Sequence, residues 1–342
     1  MRRLPVYLLL DCSESLIGDG IRQIERGVNT LLSTLRSDPH ALETVWLSCI
    51  TFDGTARIAF PLTEIADVQP PKLTVRPGTA LGAALNLCAD CIQRDVRKTT
   101  HDTKGDYRPL IILITDGQAT DDCQAALQRL GASVKPTPAN IYAIGCGDDV
   151  DLHGLKQLSD VVLHMPEMEE ADFKRLFVWL TASVQSASLA ADDSDPRAAA
   201  LARLPDTITK VDRLPPPPPP DAPARQVFLR CLCQKSRQPY LIRYRMDERY
   251  GFYVPIGSHP LDEGGGNTGL MKLPTVNSNL LNGAYPCPFC ANPGAGSCGN
   301  CGTVFCSRGP AAEATICPGC GANLTSRSVE SGAGFQVRQS AG

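Results

Sequence analysis

Short, continuous apolar runs alternate with helical patterns through the first half of this chain of 342 residues. The runs are rich in Leu, Ile and Val and do not alternate with polar residues, which is typical of strands buried on both faces. Between them, apolar residues recur every three or four positions in segments that begin near Ile21, Leu81 and Phe173. The pattern therefore predicts an α/β fold with a mainly parallel sheet flanked by helices. The predicted strands are 5–10, 45–52, 110–115, 141–146 and 161–165, with 56–60 as an antiparallel edge strand.

The composition changes after residue 185, and the length suits about two domains. Residues 186–225 are rich in Ala, Asp and Pro and include six consecutive prolines at 215–220, which favour a semi-rigid polyproline II spacer. Such a run can also dock into an aromatic-lined groove. The predicted organisation is a first domain at 1–185, a linker at 186–225, a small antiparallel β segment at 226–285, a cysteine-rich segment at 286–324 and a disordered tail at 325–342.

Polar side chains stand at three strand-to-helix junctions of the predicted first domain. Asp11, Ser13 and Ser15 follow the first strand, Thr79 precedes the second predicted helix, and Asp116 follows the strand 110–115. Each motif alone could be a helix cap or an ordinary turn. Ligands of open parallel sheets bind at the carboxyl ends of strands, and two carboxylates with three hydroxyls suit Mg²⁺ or Mn²⁺. The combination predicts a metal site, whose residual positive charge would attract a carboxylate from another protein.

These motifs resemble those of von Willebrand factor A (vWA) domains. The sequence DCSES, the threonine in PGTALGAAL and the aspartate in LIILITDG match the metal-ion-dependent adhesion site of that family in sequence and order. The resemblance implies a Rossmann-like parallel sheet with one antiparallel edge strand. It also implies that Ser13, Ser15 and Thr79 bind the ion directly, while Asp11 and Asp116 act largely through water.

Three common enzyme motifs are missing from the sequence. A haloacid-dehalogenase-like phosphatase needs a second carboxylate two residues after the first, and this chain has Ser13 at that position. No lysine follows a glycine, so there is no G-K-[ST] phosphate loop, and there is no G-x-S-x-G nucleophile elbow. We therefore expect a protein without enzymatic activity.

Seven cysteines lie within 34 residues near the end of the chain, and they predict a zinc site. Cys287 and Cys290 form one C-x-x-C turn, Cys317 and Cys320 form another, and two such turns complete a tetrahedral site of four thiolates. We assign the first zinc to these four residues. A second ion could use the intervening cysteines with a further ligand from Cys231 or Cys233. The intervening cysteines are Cys298, Cys301 and Cys306.

A structural role suits these cysteines better than a redox role. Thioredoxin-like C-x-x-C motifs occur singly, at the start of a helix that follows a strand. The segment 286–324 has few large apolar residues, so we expect a metal to replace the missing core. It also has a single basic residue, Arg308, and the whole chain has 33 Lys and Arg against 36 Asp and Glu. That balance disfavours nucleic-acid binding, which usually requires a basic surface.

The order of these segments is similar to that of TerY-type proteins of tellurium-resistance and stress-response clusters. The resemblance implies a zinc-ribbon-type C-terminal domain and a module that contains a PP2C-type phosphatase and a Ser/Thr kinase. We therefore expect a Mg²⁺-dependent adaptor or scaffold. A vWA subunit of an ATP-driven, chelatase-like complex and a zinc-ribbon nucleic-acid binder are the alternatives. Because the thiols are expected to be reduced and the apolar runs are too short to span a bilayer, we expect a cytoplasmic protein without membrane contact.

Overall fold

The computed structural model divides into two compact units. The first comprises Met1–Thr74 and Thr79–Pro217, and the second comprises Val75–Gly78 and Pro218–Gly342. The structure describes all residues except 1, 77, 118, 120, 134–139, 148–149, 160, 167, 191–201, 215, 217–222, 248, 262–274, 309–314, 325–333 and 340–342. The predicted polyproline rod at 215–220 lies outside the described residues, apart from Pro216.

A seven-stranded sheet forms the centre of the first unit. Its strands are β1 (Leu4–Asp11), β2 (Val45–Phe52), β3 (Ala56–Glu64), β4 (Leu110–Thr115), β5 (Asn140–Cys146), β6 (Val161–Met165) and β7 (Thr209–Lys210). They lie in the order β3-β2-β1-β4-β5-β6-β7. The five central strands are parallel, and β3 and β7 pair antiparallel at the two edges. Every residue of β1 and β4 is buried, so the predicted fold class is confirmed.

The described residues of the first unit form six α-helices around this sheet. They are α1 (Asp19–Arg36), α2 (Pro39–Thr44), α3 (Leu81–Asp95), α4 (Cys123–Ser133), α5 (Leu152–Leu158) and α6 (Glu170–Ala190). α3, α4 and α5 pack on the sheet face that carries Tyr7 and Leu9. α1 and α6 pack against each other, and Gly27 permits their close approach because a Cβ there would lie 2.0 Å from the Phe177 ring.

Part of the predicted linker belongs to the first unit. α6 continues to Ala190 instead of ending at 185, and β7 adds an unpredicted strand to the sheet. Ile208 and Val211, which flank β7, are buried. The expected linker at 186–225 is therefore wrong over these stretches, because a short strand in a Pro-rich segment lacks the apolar run that identified the other strands.

Nine strands are found among the described residues of the second unit. They are β8 (Gln226–Leu232), β9 (Pro239–Asp247), β10 (Phe252–Pro260), β11 (Thr275–Asn277), β12 (Gly294–Ser297), β13 (Val304–Ser307), β14 (Thr315–Ile316), β15 (Asn323–Leu324) and β16 (Gln336–Arg338). Five of them form one sheet in the order β10-β9-β8-β13-β12. β13 pairs parallel with β8, so the predicted β segment and the cysteine-rich segment share a sheet. Their core is also shared, since Val227 and Tyr240 pack in the same cluster as Val304 and Cys306.

The last described strand corrects the predicted tail. β16 pairs antiparallel with β11, and Val337 is buried between its exposed neighbours. The prediction of disorder at 325–342 is therefore wrong for Gln336–Arg338, where one apolar residue is enough to fix a short strand. In the part of the chain that the structure describes, no helix combines the length and the apolarity needed to cross a membrane.

Candidate metal centres

The carboxyl ends of three neighbouring strands bring the predicted oxygen ligands together. β1 ends at Asp11, which is in register with Phe52 at the end of β2, and β4 on the other side ends one residue before Asp116. Cys12 continues this junction by donating its N–H to the Phe52 carbonyl (2.7 Å). We call the five predicted residues the oxygen cluster. Its members are Asp11, Ser13, Ser15, Thr79 and Asp116.

Hydrogen bonds link four members of the oxygen cluster. The Ser13 N–H donates to Asp11 Oδ1 (2.8 Å), the Ser13 and Ser15 hydroxyls are 2.8 Å apart, and the Ser15 hydroxyl donates to Asp116 Oδ1 (2.6 Å). The Thr115 hydroxyl donates to Asp11 Oδ2 (2.5 Å). The alternation of Ser13 and Ser15 with Cys12 and Glu14 therefore places both hydroxyls on the same side as the two carboxylates.

Thr79 approaches the same point from the loop before α3. A Cβ on Gly117 would lie 3.3 Å from Thr79 Oγ1 and 3.9 Å from Asp11 Oδ2, so the backbone at Gly117 lies next to both side chains. Thr79, Asp11 and Ser13 are fully buried, and Ser15 and Asp116 are nearly so. Five hard oxygens in this arrangement fit a divalent cation of the Mg²⁺ or Mn²⁺ type.

Burial gives Asp11 an unusual protonation equilibrium. It raises the pKa of Asp11 to about 6, while hydrogen bonds from Thr115 and Ser13 act in the opposite direction and the charge of Asp53 raises it further. A cation beside this carboxyl would favour its ionised form. The ionised Asp11 carboxylate is therefore better accommodated with an ion than without one.

Asp53 holds the loop that carries Thr79, a role that the sequence motifs did not reveal. It follows β2, and its carbonyl accepts the N–H of Ala80 (2.7 Å). Its buried carboxylate accepts from the Thr55 N–H (3.0 Å) and pairs with Arg57 (2.6 Å). The signal was a carboxylate directly after a buried strand, at the same edge of the sheet as Asp11.

Replacing Asp53 with asparagine is expected to weaken divalent-cation binding about 10-fold, in the range typical of residues that position metal ligands. The reason is that the variant loses the ion pair with Arg57 and a negative charge near Asp11. Calorimetric titration with Mn²⁺ measures the effect. Asp106→Asn is the matched control, because Asp106 is also buried and pairs with Arg3 before the start of β1, at the other end of the sheet. Equal weakening in both variants would contradict the positioning role.

The cysteines of the second unit form two groups of four. We call Cys233, Cys287, Cys290 and Cys306 the inner cysteine group, and Cys298, Cys301, Cys317 and Cys320 the outer cysteine group; within each, all sulfur atoms lie within 4.8 Å of one another. The predicted pairing of the Cys287 turn with the Cys317 turn is therefore wrong. Cys233, a predicted candidate for the site of the intervening cysteines, lies instead with the Cys287 turn and Cys306. Cys231 is buried in the core and donates to the Leu229 carbonyl.

The sulfur distances suit metal–thiolate tetrahedra. Cys290 and Cys306 are 3.5 Å apart, Cys298 and Cys320 are 3.8 Å apart, and Cys301 and Cys317 are 3.7 Å apart. A tetrahedron with zinc–sulfur bonds of about 2.3 Å has edges of about 3.8 Å. Both groups therefore have the size and ligand type of a tetrathiolate site.

Four turns of the same geometry supply most of these thiols. In each turn the first cysteine accepts, at its carbonyl, the N–H of the fourth residue after it and donates its own N–H to the carbonyl of the fifth. The fourth residue has positive φ in every case. The turns begin at Cys233, Cys287, Cys298 and Cys317, and the positive-φ residues are Arg237, Ala291, Gly302 and Gly321.

The turn at Cys233 lacks the second cysteine that the other three turns carry. It carries Ser236 where each of the others carries its second cysteine. Cys306 from β13 completes the inner cysteine group instead, and it accepts an N–H from Gln234 (3.2 Å). A C-x-x-S spacing in strand-rich surroundings is the sequence signal that could have identified this fourth turn.

One thiol of each group is poised to ionise. Burial acts to raise the pKa of Cys233, but hydrogen bonds from Ser236 and the backbone outweigh it and lower the value to about 6. Hydrogen bonding with Thr303 lowers the pKa of Cys301 to about 6. Since the thiolate is the metal ligand, these lowered pKa values favour the ligating form of the two residues.

Each of the two units contains a segment that matches a known protein family. Residues 6–176 match the von Willebrand factor type A domain family, and residues 224–342 match the TerY-C metal binding domain family. No curated protein matches the chain.

Solved structures with a similar fold include a von Willebrand factor type A protein from Catenulispora acidiphila (18% identity, 54% of this chain, 43% of that chain, TM-score 0.42). Proximal thread matrix protein 1 from the mussel byssus, with a zinc-occupied MIDAS motif, has 18% identity over 54% of this chain and 48% of its own (TM-score 0.38). The pilus adhesin SpaC from Lactobacillus rhamnosus GG has 13% identity over 54% of this chain and 30% of its own (TM-score 0.42). The chain spans less than half the length of each of these three structures.

Proposed function

Because this chain belongs to the family of proteins with a von Willebrand factor type A domain, we propose that it is a non-enzymatic adaptor that binds a partner's carboxylate through Mg²⁺ or Mn²⁺. The observation that carries the proposal is the convergence of five oxygen donors, from three separate segments, at the carboxyl ends of β1 and β4. A bound ion would supply a positive centre that accepts an oxygen from outside the chain.

The composition of the oxygen cluster supports capture of an acidic side chain. Asp11 and Asp116 are its only carboxylates, so their two negative charges at most balance the two positive charges of a divalent ion. The hydrogen bonds that they accept from Thr115 and Ser15 reduce the negative charge that they present to the ion. The three hydroxyls contribute no formal charge. The ion would therefore bind an incoming carboxylate more strongly than a neutral oxygen.

For the second unit we propose two structural zinc ions, one in each cysteine group. The sulfur spacing supports zinc, and the turns at Cys287, Cys298 and Cys317 have the ligand spacing of zinc knuckles. This domain would provide a second docking surface of the adaptor. None of the fifteen cysteines forms a disulfide, and we propose a reducing, cytoplasmic location.

As partners we propose a PP2C-type phosphatase and a Ser/Thr kinase within a TerY-type stress-response module. The test is biolayer interferometry with the full-length, zinc-loaded protein immobilised and each purified enzyme, taken from the same genome, in solution. Binding is expected to weaken at least about 10-fold when Mg²⁺ is omitted, with zinc content unchanged. Equal binding of both enzymes with and without Mg²⁺, or no binding of either, would refute this assignment.

A further inference from the structure

A cavity of about 530 Å³ lies beside the oxygen cluster. It is bounded by α3, α4, α5 and the segment after β4, and Gly117 forms part of its wall. Gly117 also lies next to the oxygen cluster, since a Cβ on it would be 3.3 Å from Thr79 Oγ1 and 3.9 Å from Asp11 Oδ2. A molecule whose carboxylate reached the ion would therefore have this cavity as its immediate neighbour.

The inner surface of the cavity is mostly apolar, and the charged groups among its described lining residues are all acidic. Four leucines line it, together with three aspartates, and among the described lining residues none is Lys, Arg or His. The leucines are Leu81, Leu127, Leu155 and Leu158, and the aspartates are Asp121, Asp122 and Asp151. An apolar surface with negative charge matches a long side chain that has an aliphatic stem and a cationic end.

The three aspartates are engaged with the backbone to different extents. Asp121 uses both carboxylate oxygens, which accept the N–H groups of Gly82 and Ala83 at 2.8 Å each. Asp122 and Asp151 each use Oδ1, which accepts the N–H of Gln124 and Gly154 respectively, both at 2.9 Å. Each of Asp122 and Asp151 is therefore held in place through one oxygen, and its negative charge suits a guanidinium or ammonium group.

We propose that this cavity binds a Lys or Arg side chain of the same partner whose carboxylate binds the ion. The protein would then recognise an acidic and a basic residue close together, instead of an acidic residue alone. This inference rests on the proposed function of the oxygen cluster. A cavity of this volume is about 10 Å across, and an extended chain advances ~3.3 Å per residue, so the two residues would be no more than about three positions apart.

The test is selection of phage-displayed random peptides on the full-length, zinc-loaded protein in Mg²⁺, with elution by Mg²⁺ omission. The selected peptides are expected to share an acidic residue and a Lys or Arg at a fixed spacing. A second selection uses the Asp122→Asn/Asp151→Asn variant, in which asparagine preserves the capping hydrogen bonds of both residues. There, the acidic residue should persist and the basic residue should be lost, and peptides from the first selection should bind at least about 10-fold more weakly.

Asp102→Asn is the control for charge, since Asp102 lies on the exposed surface beside His101. It should select the same motif as the wild-type protein. Peptides with an acidic residue but no preferred basic residue, or a basic preference unchanged in the double variant, would overturn the cavity assignment while leaving the oxygen cluster intact. A selection that returns no Mg²⁺-dependent peptide would overturn the proposed function and this inference with it.

Discussion

Thr79→Ala is expected to weaken Mg²⁺ or Mn²⁺ binding at least about 100-fold while leaving the first unit folded. Loss of a residue that only positions a ligand already costs about 10–100-fold, and Thr79 is proposed to supply an oxygen to the ion itself. The substitution replaces a hydroxyl with hydrogen and removes a methyl group at one loop position, so the unfolding free energy should fall by only about 1 kcal/mol. Calorimetric titration of the zinc-loaded protein with Mn²⁺, together with thermal unfolding, measures both effects.

Thr63→Ala is the matched control for this variant. Thr63 lies in the edge strand β3, and its hydroxyl donates to the nearby Pro61 carbonyl. The control should bind Mn²⁺ as the wild-type protein does. If Thr79→Ala retained wild-type affinity, Thr79 would have no part in the site; if it unfolded, its role would be structural.

Cys306→Ser is expected to remove one of two zinc ions and to destabilise the second unit by about 4 kcal/mol or more, since loss of a structural metal is among the most damaging single changes. Cys306 is fully buried and belongs to the same core cluster as Val227 and Tyr240. Cys301→Ser is the contrasting variant, because Cys301 is exposed and its group shares a small apolar cluster with Phe305 and Leu324, separate from the cluster that contains Cys306. It should also lose one zinc, but the sheet around β8 and β9 should stay protected from hydrogen exchange.

The Cys233 turn provides a sharper test of the inner cysteine group. Its Ser236 occupies the position of the second cysteine in three otherwise equivalent turns. Adding Ser236→Cys to Cys306→Ser should therefore restore the second zinc and most of the lost stability. Zinc counted by native mass spectrometry should read two, one and two for the wild-type, single and double variants. A value of one in the double variant would mean that the turn does not direct the side chain at position 236 toward the ion.

The sheet of the first unit was predictable because the local sequence of each main strand identifies it. β1, β2 and β4 are continuous apolar runs, and burial on both faces leaves no other interpretation of such short segments. α2, α5 and β7 were not predicted, since they are too short to establish a periodicity, and the longer α4 was not predicted either. The oxygen cluster was also predictable, because parallel strands bring their carboxyl ends to one edge whatever the intervening sequence.

Membership of the cysteine groups could not be predicted in the same way. The ligands of the two groups are interleaved along the chain, with Cys298 and Cys301 falling between Cys290 and Cys306. The assignment depends on the parallel pairing of β13 with β8, which brings Cys306 beside the Cys233 turn. That pairing joins residues more than 70 positions apart, and no local spacing encodes it.

We propose that an ion in the oxygen cluster binds a carboxylate from outside the chain. Pulsed electron–nuclear double resonance of the Mn²⁺-loaded, full-length protein tests it directly when carboxyl-¹³C-labelled acetate is added. We expect one Mn²⁺ per chain outside the cysteine groups. The ¹³C coupling should be that of a directly bound carboxylate, and this coupling should disappear in Thr79→Ala. A bound Mn²⁺ that retains only water in the presence of acetate, or a ¹³C coupling unchanged in Thr79→Ala, would contradict it.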